Sequence, residues 1–128
     1  MTVTMIEPET EDIQFEIEFY EKVLKDSPDF VEALSALAES YTRAAEYQKG
    51  LDIDKRLAML CPDDPLVFYN LACSFALTGA KEQALETLEN AVSFGYDEPE
   101  HMKQDEDLKA LHADQRFWKI LETLEKNI

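Results

Sequence analysis

The fold is decided by two consecutive stretches, VEALSALAESYTRAAEYQKGLDIDKRLAMLCPDD at residues 31–64 and PLVFYNLACSFALTGAKEQALETLENAVSFGYDE at residues 65–98. They match in register at a spacing of 34 residues, the same spacing that separates Pro28 from Pro62. The matched pairs include Leu37 with Leu71, Ala38 with Ala72, Ser40 with Ser74, Tyr41 with Phe75, Leu51 with Leu85 and Asp63 with Asp97. A constant period of this length is typical of a solenoid, in which each unit is one helix pair that buries its apolar face by stacking on its neighbours.

Size and charge limit the classes of function. The chain has 128 residues, of which 45% are hydrophobic, so we expect one domain with a small core. Lys and Arg total 12 against 28 Asp and Glu, a formal charge of −16. Nucleic acid is excluded as a direct ligand, because its binding depends on basic residues that neutralise phosphates. An anionic membrane surface is disfavoured for the same reason.

The N-terminal stretch MTVTMIEPETEDI has neither the basic residues nor the apolar region of a signal peptide, and no stretch of 18 apolar residues follows. We therefore expect a cytoplasmic protein. Its two cysteines, Cys61 and Cys73, are expected to be reduced core or groove residues rather than a disulfide.

The charge is uneven along the chain, since seven acidic residues precede the first basic residue, Lys22. Such a distribution would steer a basic partner towards this end of the molecule. The same acids also suit a solvated helix face that keeps the protein soluble, and the sequence leaves both interpretations open.

Periodicity and breakers predict the elements. Residues 1–10 are expected to form a flexible acidic tail, and a first helix is predicted over residues 11–25. A turn is expected near residues 43–46, while Asp64 and Pro65 mark a clear helix start. Gly95 is placed as a C-terminal cap. Gly50 and its counterpart Ala84 indicate two closely crossing helices.

These elements divide the chain into a half repeat at 11–30, full repeats at 31–64 and 65–98, and capping helices at 99–128. Within the last segment, Asp114 is expected to cap an amphipathic helix that carries Phe117, Trp118, Leu121 and Leu124. A solenoid needs such an end piece, because its last repeat otherwise leaves an apolar face open.

The two repeats resemble the tetratricopeptide repeat in the positions of their large and small packing residues. The matching residues are Leu34, Leu37, Ala38, Tyr41, Tyr47, Gly50, Leu57 and Pro62 in one repeat, and Phe68, Leu71, Ala72, Phe75, Gly79, Ala84, Leu88 and Ala91 in the other. The resemblance implies an all-α, right-handed α-solenoid of antiparallel helix pairs with about two and a half repeats and a C-terminal helical cap. Asp54, Leu57 and Tyr96 depart from the family pattern.

The closing stretch resembles a terminal module found at the ends of many such arrays. It carries Gly95-Tyr96, then Asp105-Glu106-Asp107-Leu108, Leu111 and Asp114-Gln115-Arg116-Phe117. The module usually has proline where Gln115 stands, and it implies no activity.

The family binds peptides or partner helices on a concave face made by the first helix of each repeat. The resemblance places Glu32, Ser35, Glu39, Thr42, Leu66, Tyr69, Asn70, Cys73 and Leu77 on or beside that face. The version that clamps a chaperone's C-terminal carboxylates is rejected, because Ser35 and Glu39 replace its lysine and asparagine and only Asn70 fits. Glu32 and Glu39 would instead attract basic side chains.

Leu66, Tyr69, Cys73 and Leu77 form an apolar stripe at helical spacing. If open, the stripe marks an interaction site; the alternative is that the C-terminal helix folds back over it. An uncovered stripe could also pair two copies through Leu66 and Tyr69, which makes a homodimer the rival hypothesis.

The sequence predicts no catalytic, cofactor-binding or metal-binding residues. His101 and His112, with Asp105, Asp107 and Asp114 near them, are a candidate metal site, but zinc sites have tighter ligand spacing. No nucleophile motif or phosphate-binding glycine loop occurs. We therefore predict a non-catalytic scaffold or adaptor that binds another protein or peptide. The acidic residues favour a basic partner.

Overall fold

The computed structural model describes residues 8–128, which form seven α-helices and one 3₁₀ helix and no strand. The helices are α1 Pro8–Asp26, α2 Val31–Arg43, α3 Tyr47–Leu60, α4 Pro65–Leu77, α5 Lys81–Ser93, α6 Pro99–Gln104, the 3₁₀ helix Glu106–Leu111 and α7 Gln115–Lys126. α1 begins at Pro8 rather than at residue 11, since proline is favoured in the first turn of a helix. The remainder of the predicted tail lies outside the described residues.

Consecutive helices pack side by side. Short turns join α2 to α3 and α4 to α5, so each repeat is an antiparallel pair, and α3 also packs against α4 of the next repeat. α1 packs against α2, while α7 packs against α5 and α6. The predicted class, an all-α solenoid of antiparallel helix pairs with a helical C-terminal segment, is confirmed.

Aspartates start three of the later helices. The Asp64 carboxylate accepts hydrogen bonds from the amides of Leu66 and Val67 at 3.0 and 3.2 Å, with Pro65 in the first turn. Asp114 accepts from the Arg116 amide at 2.9 Å and Asp105 from the Asp107 amide at 3.0 Å. Each side chain satisfies an amide that has no partner inside its own helix.

The turns within the two repeats are built alike. The Glu46 amide donates to the Tyr41 carbonyl at 2.9 Å, and the Ala80 amide donates to the Phe75 carbonyl at the same distance. Both turns contain a residue in the left-handed region, Ala45 at φ 59° and Gly79 at φ 82°. Glycine adopts this region without steric cost, whereas alanine is strained there.

Gly50 lies where α2 and α3 cross. A Cβ at this position would stand 3.1 Å from Thr42 Oγ1 and 3.6 Å from the Ala38 carbonyl oxygen. The counterpart Ala84 is fully buried. The expectation that small residues mark close helix crossings holds at Gly50, where a Cβ would lie 3.1 Å from the nearest side-chain atom.

The apolar core has two parts. The smaller part joins Ile13 and Ile17 of α1 to Leu37 and Tyr41 of α2. The larger part joins α4 and α5 to the C-terminal segment and includes Ala72, Ala84, Leu88, Ala91, Met102, Leu108, Leu111 and Phe117, none of which is exposed. The C-terminal segment therefore belongs to the core of the last repeat.

One charged residue is buried between the repeats. Asp54 of α3 accepts a hydrogen bond from the Ser74 hydroxyl of α4, and burial raises its pKa to about 6 despite this bond. Asp54 occupies the position where the repeat pattern usually has an apolar residue. A buried carboxyl without a basic partner favours its neutral form.

Cys61 is half-buried and Cys73 is buried, and both are free thiols. Within residues 8–128, none of the helices combines the length and the hydropathy that crossing a membrane requires.

Candidate interaction surfaces

The predicted concave face is exposed on α2. Glu32, Ser35 and Glu39 project to solvent at spacings of three and four residues, so they share one side of the helix. Thr42 is half-buried, and its hydroxyl donates to the Ala38 carbonyl at 3.1 Å. On this helix the predicted surface is therefore open, polar and acidic.

On α4 the predicted face divides into exposed and covered residues. Leu66 is 56% exposed and Asn70 is exposed, while Leu77 is half-buried. Tyr69 and Cys73, for which the sequence predicts apolar contact with a partner, are only 2% and 6% exposed. These two side chains are not accessible to a partner in this structure.

The covering residues come from the C-terminal segment. The Tyr69 hydroxyl donates to Asp105 Oδ2 at 2.7 Å, and the Cys73 Sγ lies 3.8 Å from the same oxygen. The Tyr69 ring also stacks on Tyr96, with centroids 4.2 Å apart and planes 2° apart. We call Tyr69, Cys73, Tyr96 and Asp105 the clasp, because they hold the C-terminal segment against α4.

The clasp answers part of the question that the sequence left open, because it covers Tyr69 and Cys73 while Leu66 of the same stripe stays exposed. A covered stripe was one of the two expected alternatives, but the expected cover was the last helix. Tyr96 and Asp105, which contact Tyr69 and Cys73, instead precede the 3₁₀ helix, and the 3₁₀ helix itself packs against α4. Phe117 of α7 is buried in the core formed with α5. Sequence spacing indicated that Tyr69 and Cys73 share a side of α4 and carried no signal for their contact with Asp105.

Burial and negative charge determine the protonation of the clasp. Burial raises the pKa of the Cys73 thiol well above its usual value, and the charges of Asp105 and Asp107 raise it further. Burial likewise raises the pKa of the Tyr69 hydroxyl, with Cys73 and Asp105 adding to the effect. Both groups therefore stay neutral at physiological pH and act as hydrogen-bond donors.

The clasp also brings together three potential metal-ligating side chains. Ligand atoms of Cys73, Asp105 and Asp107 lie within 4.8 Å of one another, and His101 Nε2 lies 3.3 Å from Asp105 Oδ2. Asp105 already accepts hydrogen bonds from the Tyr69 hydroxyl and the Asp107 amide. His101, His112, Asp105, Asp107 and Asp114 do not form one group of ligands in the structure. Cys73, which does lie beside Asp105 and Asp107, is not among the metal-ligand candidates that the sequence offers.

His112 packs against aromatic side chains of α7. Its ring contacts Phe117 and Trp118, with centroid distances of 4.9 and 5.2 Å, and its carbonyl accepts from the Trp118 indole at 2.8 Å. The residue thus helps to close the turn before α7.

Among the side chains that the structure describes, six of the twelve basic residues form ion pairs with acidic residues. The ion pairs are Arg43 with Glu16, Lys49 with Glu46, Arg56 with Asp29, Lys81 with Asp114, Arg116 with Glu82 and Asp114, and Lys126 with Glu122. Across residues 8–128, Glu32 and Glu39 have no such partner. The exposed side of α2 therefore carries uncompensated negative charge.

Fold and surface together define a helical-repeat protein with one acidic, open side on α2 and a closed C-terminal end. No protein-family model and no curated protein matches the chain. Solved structures of MamA are similar to it in fold.

A crystal structure of MamA aligns with a TM-score of 0.73 at 17% identity, over 98% of this chain and 77% of that chain. A structure of MamA from residue 41 to the end, from Desulfovibrio magneticus RS-1, aligns with a TM-score of 0.68 at 21% identity, over 91% of this chain and 68% of that chain. A third, MamA MSR-1, has a TM-score of 0.70 at 16% identity, over 93% and 71%. At these identities the likeness shows the fold alone.

Proposed function

We propose that this chain is a non-catalytic interaction module of the tetratricopeptide-repeat type that binds a basic segment of a partner protein along α2. The observation that carries the proposal is the row of Glu32, Ser35 and Glu39, which shares one exposed side of α2. The two glutamates lack a cationic partner among the described residues, whereas Glu16 on the adjoining helix is paired with Arg43 at 2.9 Å. An unpaired acidic row attracts the Lys and Arg side chains of a ligand. No ion pair within the described residues has to be broken before Glu32 and Glu39 can bind them.

The proposed surface continues onto α4 in reduced form. Asn70 is exposed and can bond the ligand backbone, and Leu66 can supply apolar contact. Tyr69 and Cys73 do not take part while the clasp is closed. The ligand therefore contacts mainly polar and acidic side chains, and its binding should weaken with salt.

The test is selection of peptides of about twelve residues from a random display library on the purified chain. Enrichment of Lys- and Arg-rich sequences is expected, and Glu32→Lys with Glu39→Lys should abolish it. Glu86→Lys with Glu89→Lys is the matched control, since both glutamates are exposed on α5 and both double variants change the formal charge from −16 to −12. Equal loss in both variants, or selected peptides without basic residues, would reject the proposal.

Self-association is the second candidate. The homodimer predicted from Leu66 and Tyr69 would have to form without Tyr69, which lies in the clasp, so only the exposed Leu66 favours it. Light scattering separates the candidates, because a monomer has a mass of 14.7 kDa. A cytoplasmic location is part of the proposal and is checked by cell fractionation.

A further inference from the structure

The outer face of α1, formed by Phe15 and Phe19 with Asp12 and Glu18 beside them, differs from every surface considered so far. Phe15 is 70% exposed and Phe19 is 51% exposed. The two rings are one helical turn apart and therefore lie side by side on the helix. Two adjacent exposed aromatic side chains form an apolar patch rather than a single scattered residue.

The patch does not belong to the core of the solenoid. Ile13 and Ile17, on the other side of α1, are buried against Leu37 and Tyr41 of α2. α1 therefore has two apolar sides, and within residues 8–128 only the side with Ile13 and Ile17 is buried. At the opposite end of the described array, the aromatic Phe117 is completely buried in the C-terminal segment.

The charges around the patch indicate what can cover it. Asp12, Glu18 and Lys22 are the exposed charged residues that border the patch, with Lys22 three residues after Phe19. Two of these three are acidic, and α1 as a whole has seven acidic and two basic residues, so its net charge is negative. A second copy of α1 would bring the same net negative charge against the first, and two whole chains would each carry −16. Like charges placed against each other at an interface oppose association, whereas a cationic partner gains from the same field.

We propose that the outer face of α1 binds a basic amphipathic helix from a different protein. Apolar side chains of that helix, spaced three and four residues apart, would pack on Phe15 and Phe19. Lys or Arg side chains at its flanks would face Asp12 and Glu18. This surface is separate from the row on α2, so it adds a second binding site to the proposed function.

The test uses a synthetic amphipathic helix of about five turns with a leucine stripe and lysine flanks, titrated by fluorescence anisotropy. A peptide with the same stripe and glutamate flanks is its control. F15A/F19A and D12K/E18K are each expected to weaken binding of the lysine peptide about tenfold or more. The first variant loses the aromatic packing, and the second loses the attraction between opposite charges. Met59→Ala, which removes an exposed apolar side chain from α3, should leave the affinity unchanged.

Four outcomes would overturn the inference. These are no saturable binding of the lysine peptide, equal binding of the glutamate peptide, an affinity of F15A/F19A within about twofold of wild type, and loss of binding only in the Glu32→Lys, Glu39→Lys variant. The last outcome would assign the peptide to α2 and leave the proposed function intact.

Two other segments that could cover the patch, a second copy of the chain and residues 1–7, are tested separately. A wild-type dimer in light scattering that becomes a monomer in F15A/F19A would identify a second copy. Tighter peptide binding after deletion of residues 1–7 would identify this chain's own N-terminal segment. Either result would replace the proposed partner.

Discussion

The hydroxyl of Tyr69 donates a 2.7 Å hydrogen bond to the carboxylate of Asp105, which is 36 residues further along the chain. This contact joins the first helix of the last repeat to the segment that closes the array. It also removes Tyr69 from the surface on which the repeat pattern places it. The same side chain thus serves the stability of the chain instead of its binding surface.

Tyr69→Phe should lower the free energy of unfolding by about 1–2 kcal/mol, because the Asp105 carboxylate loses a donor inside a partly buried site. Urea unfolding followed by circular dichroism measures the change. Tyr96→Phe is the matched control, since the Tyr96 hydroxyl is buried without a hydrogen-bond partner in the described part of the chain. Removing that hydroxyl should leave stability unchanged or raise it; equal losses in both variants would contradict the assignment of the Tyr69 bond.

Asp54→Asn should make the protein more stable at neutral pH. The pKa of Asp54 is about 6 in the folded chain against an ordinary value of 3.8, so the folded chain binds this proton more tightly. The contribution of Asp54 to the free energy of unfolding therefore falls as pH rises from about 4 to about 6 and stays lower above that range. The full effect is at most about 3 kcal/mol, and we expect a gain of about 1–3 kcal/mol for the asparagine variant at pH 7.

The measurement is urea unfolding of wild type and Asp54→Asn at a series of pH values between 4 and 8. The difference between the two proteins isolates Asp54 from the other acids, and it should vanish near pH 4. Asp52→Asn, an exposed neighbour on α3, is the control and should track wild type at every pH. A pH-independent difference for Asp54→Asn would show that packing, not titration, is responsible.

Ala45→Gly and Gly79→Ala should change stability in opposite directions. Both positions have positive φ, at 59° and 82°, and no atom lies within 4 Å of a Cβ added to Gly79. Backbone strain alone therefore decides the outcome: Gly79→Ala should cost about 1 kcal/mol, and Ala45→Gly should gain up to about 1 kcal/mol. Thermal unfolding of the two variants measures both effects, and shifts of the same sign would refute this account of the turns.

The two thiols should differ in reactivity. Cys73 is buried in the clasp with a raised pKa, whereas Cys61 is half-buried outside it. Thiolates are the reactive form, so a disulfide reagent should modify Cys61 in the folded protein and reach Cys73 only when the clasp opens. Single-cysteine variants Cys61→Ser and Cys73→Ser separate the two rates. Asp105→Ala should accelerate modification of Cys73 selectively, and similar rates for both thiols in wild type would contradict a closed clasp.

The helices and their turns were predictable because their signals are local. Asp64-Pro65 and Gly79 act through neighbouring backbone atoms, and the repeat made Gly79 a guide to the weaker turn at Ala45. The exposure of Glu32 and Glu39 followed in the same way from helical spacing. The register of the repeats is therefore enough to predict most of the helices and turns.

The covered part of the predicted surface could not be obtained in this way. The positions of Tyr69 and Cys73 on α4 were predictable, but their burial depends on Asp105 and Tyr96, whose approach is a tertiary contact. The Asp54–Ser74 hydrogen bond is a similar case, since a charged residue in an apolar position indicates a departure from the pattern without naming the partner.

The clasp also determines in which direction this solenoid can be lengthened by design. A further repeat inserted after α5 would have to displace Tyr96 and Asp105, and Tyr69 and Cys73 would then lose their hydrogen-bond and stacking partners. Among the described residues, the α1 end has no contact comparable to the clasp that repeats joined ahead of α1 would have to displace. The packed C-terminal segment thus terminates the array, and engineered arrays based on this chain should be extended from the α1 end.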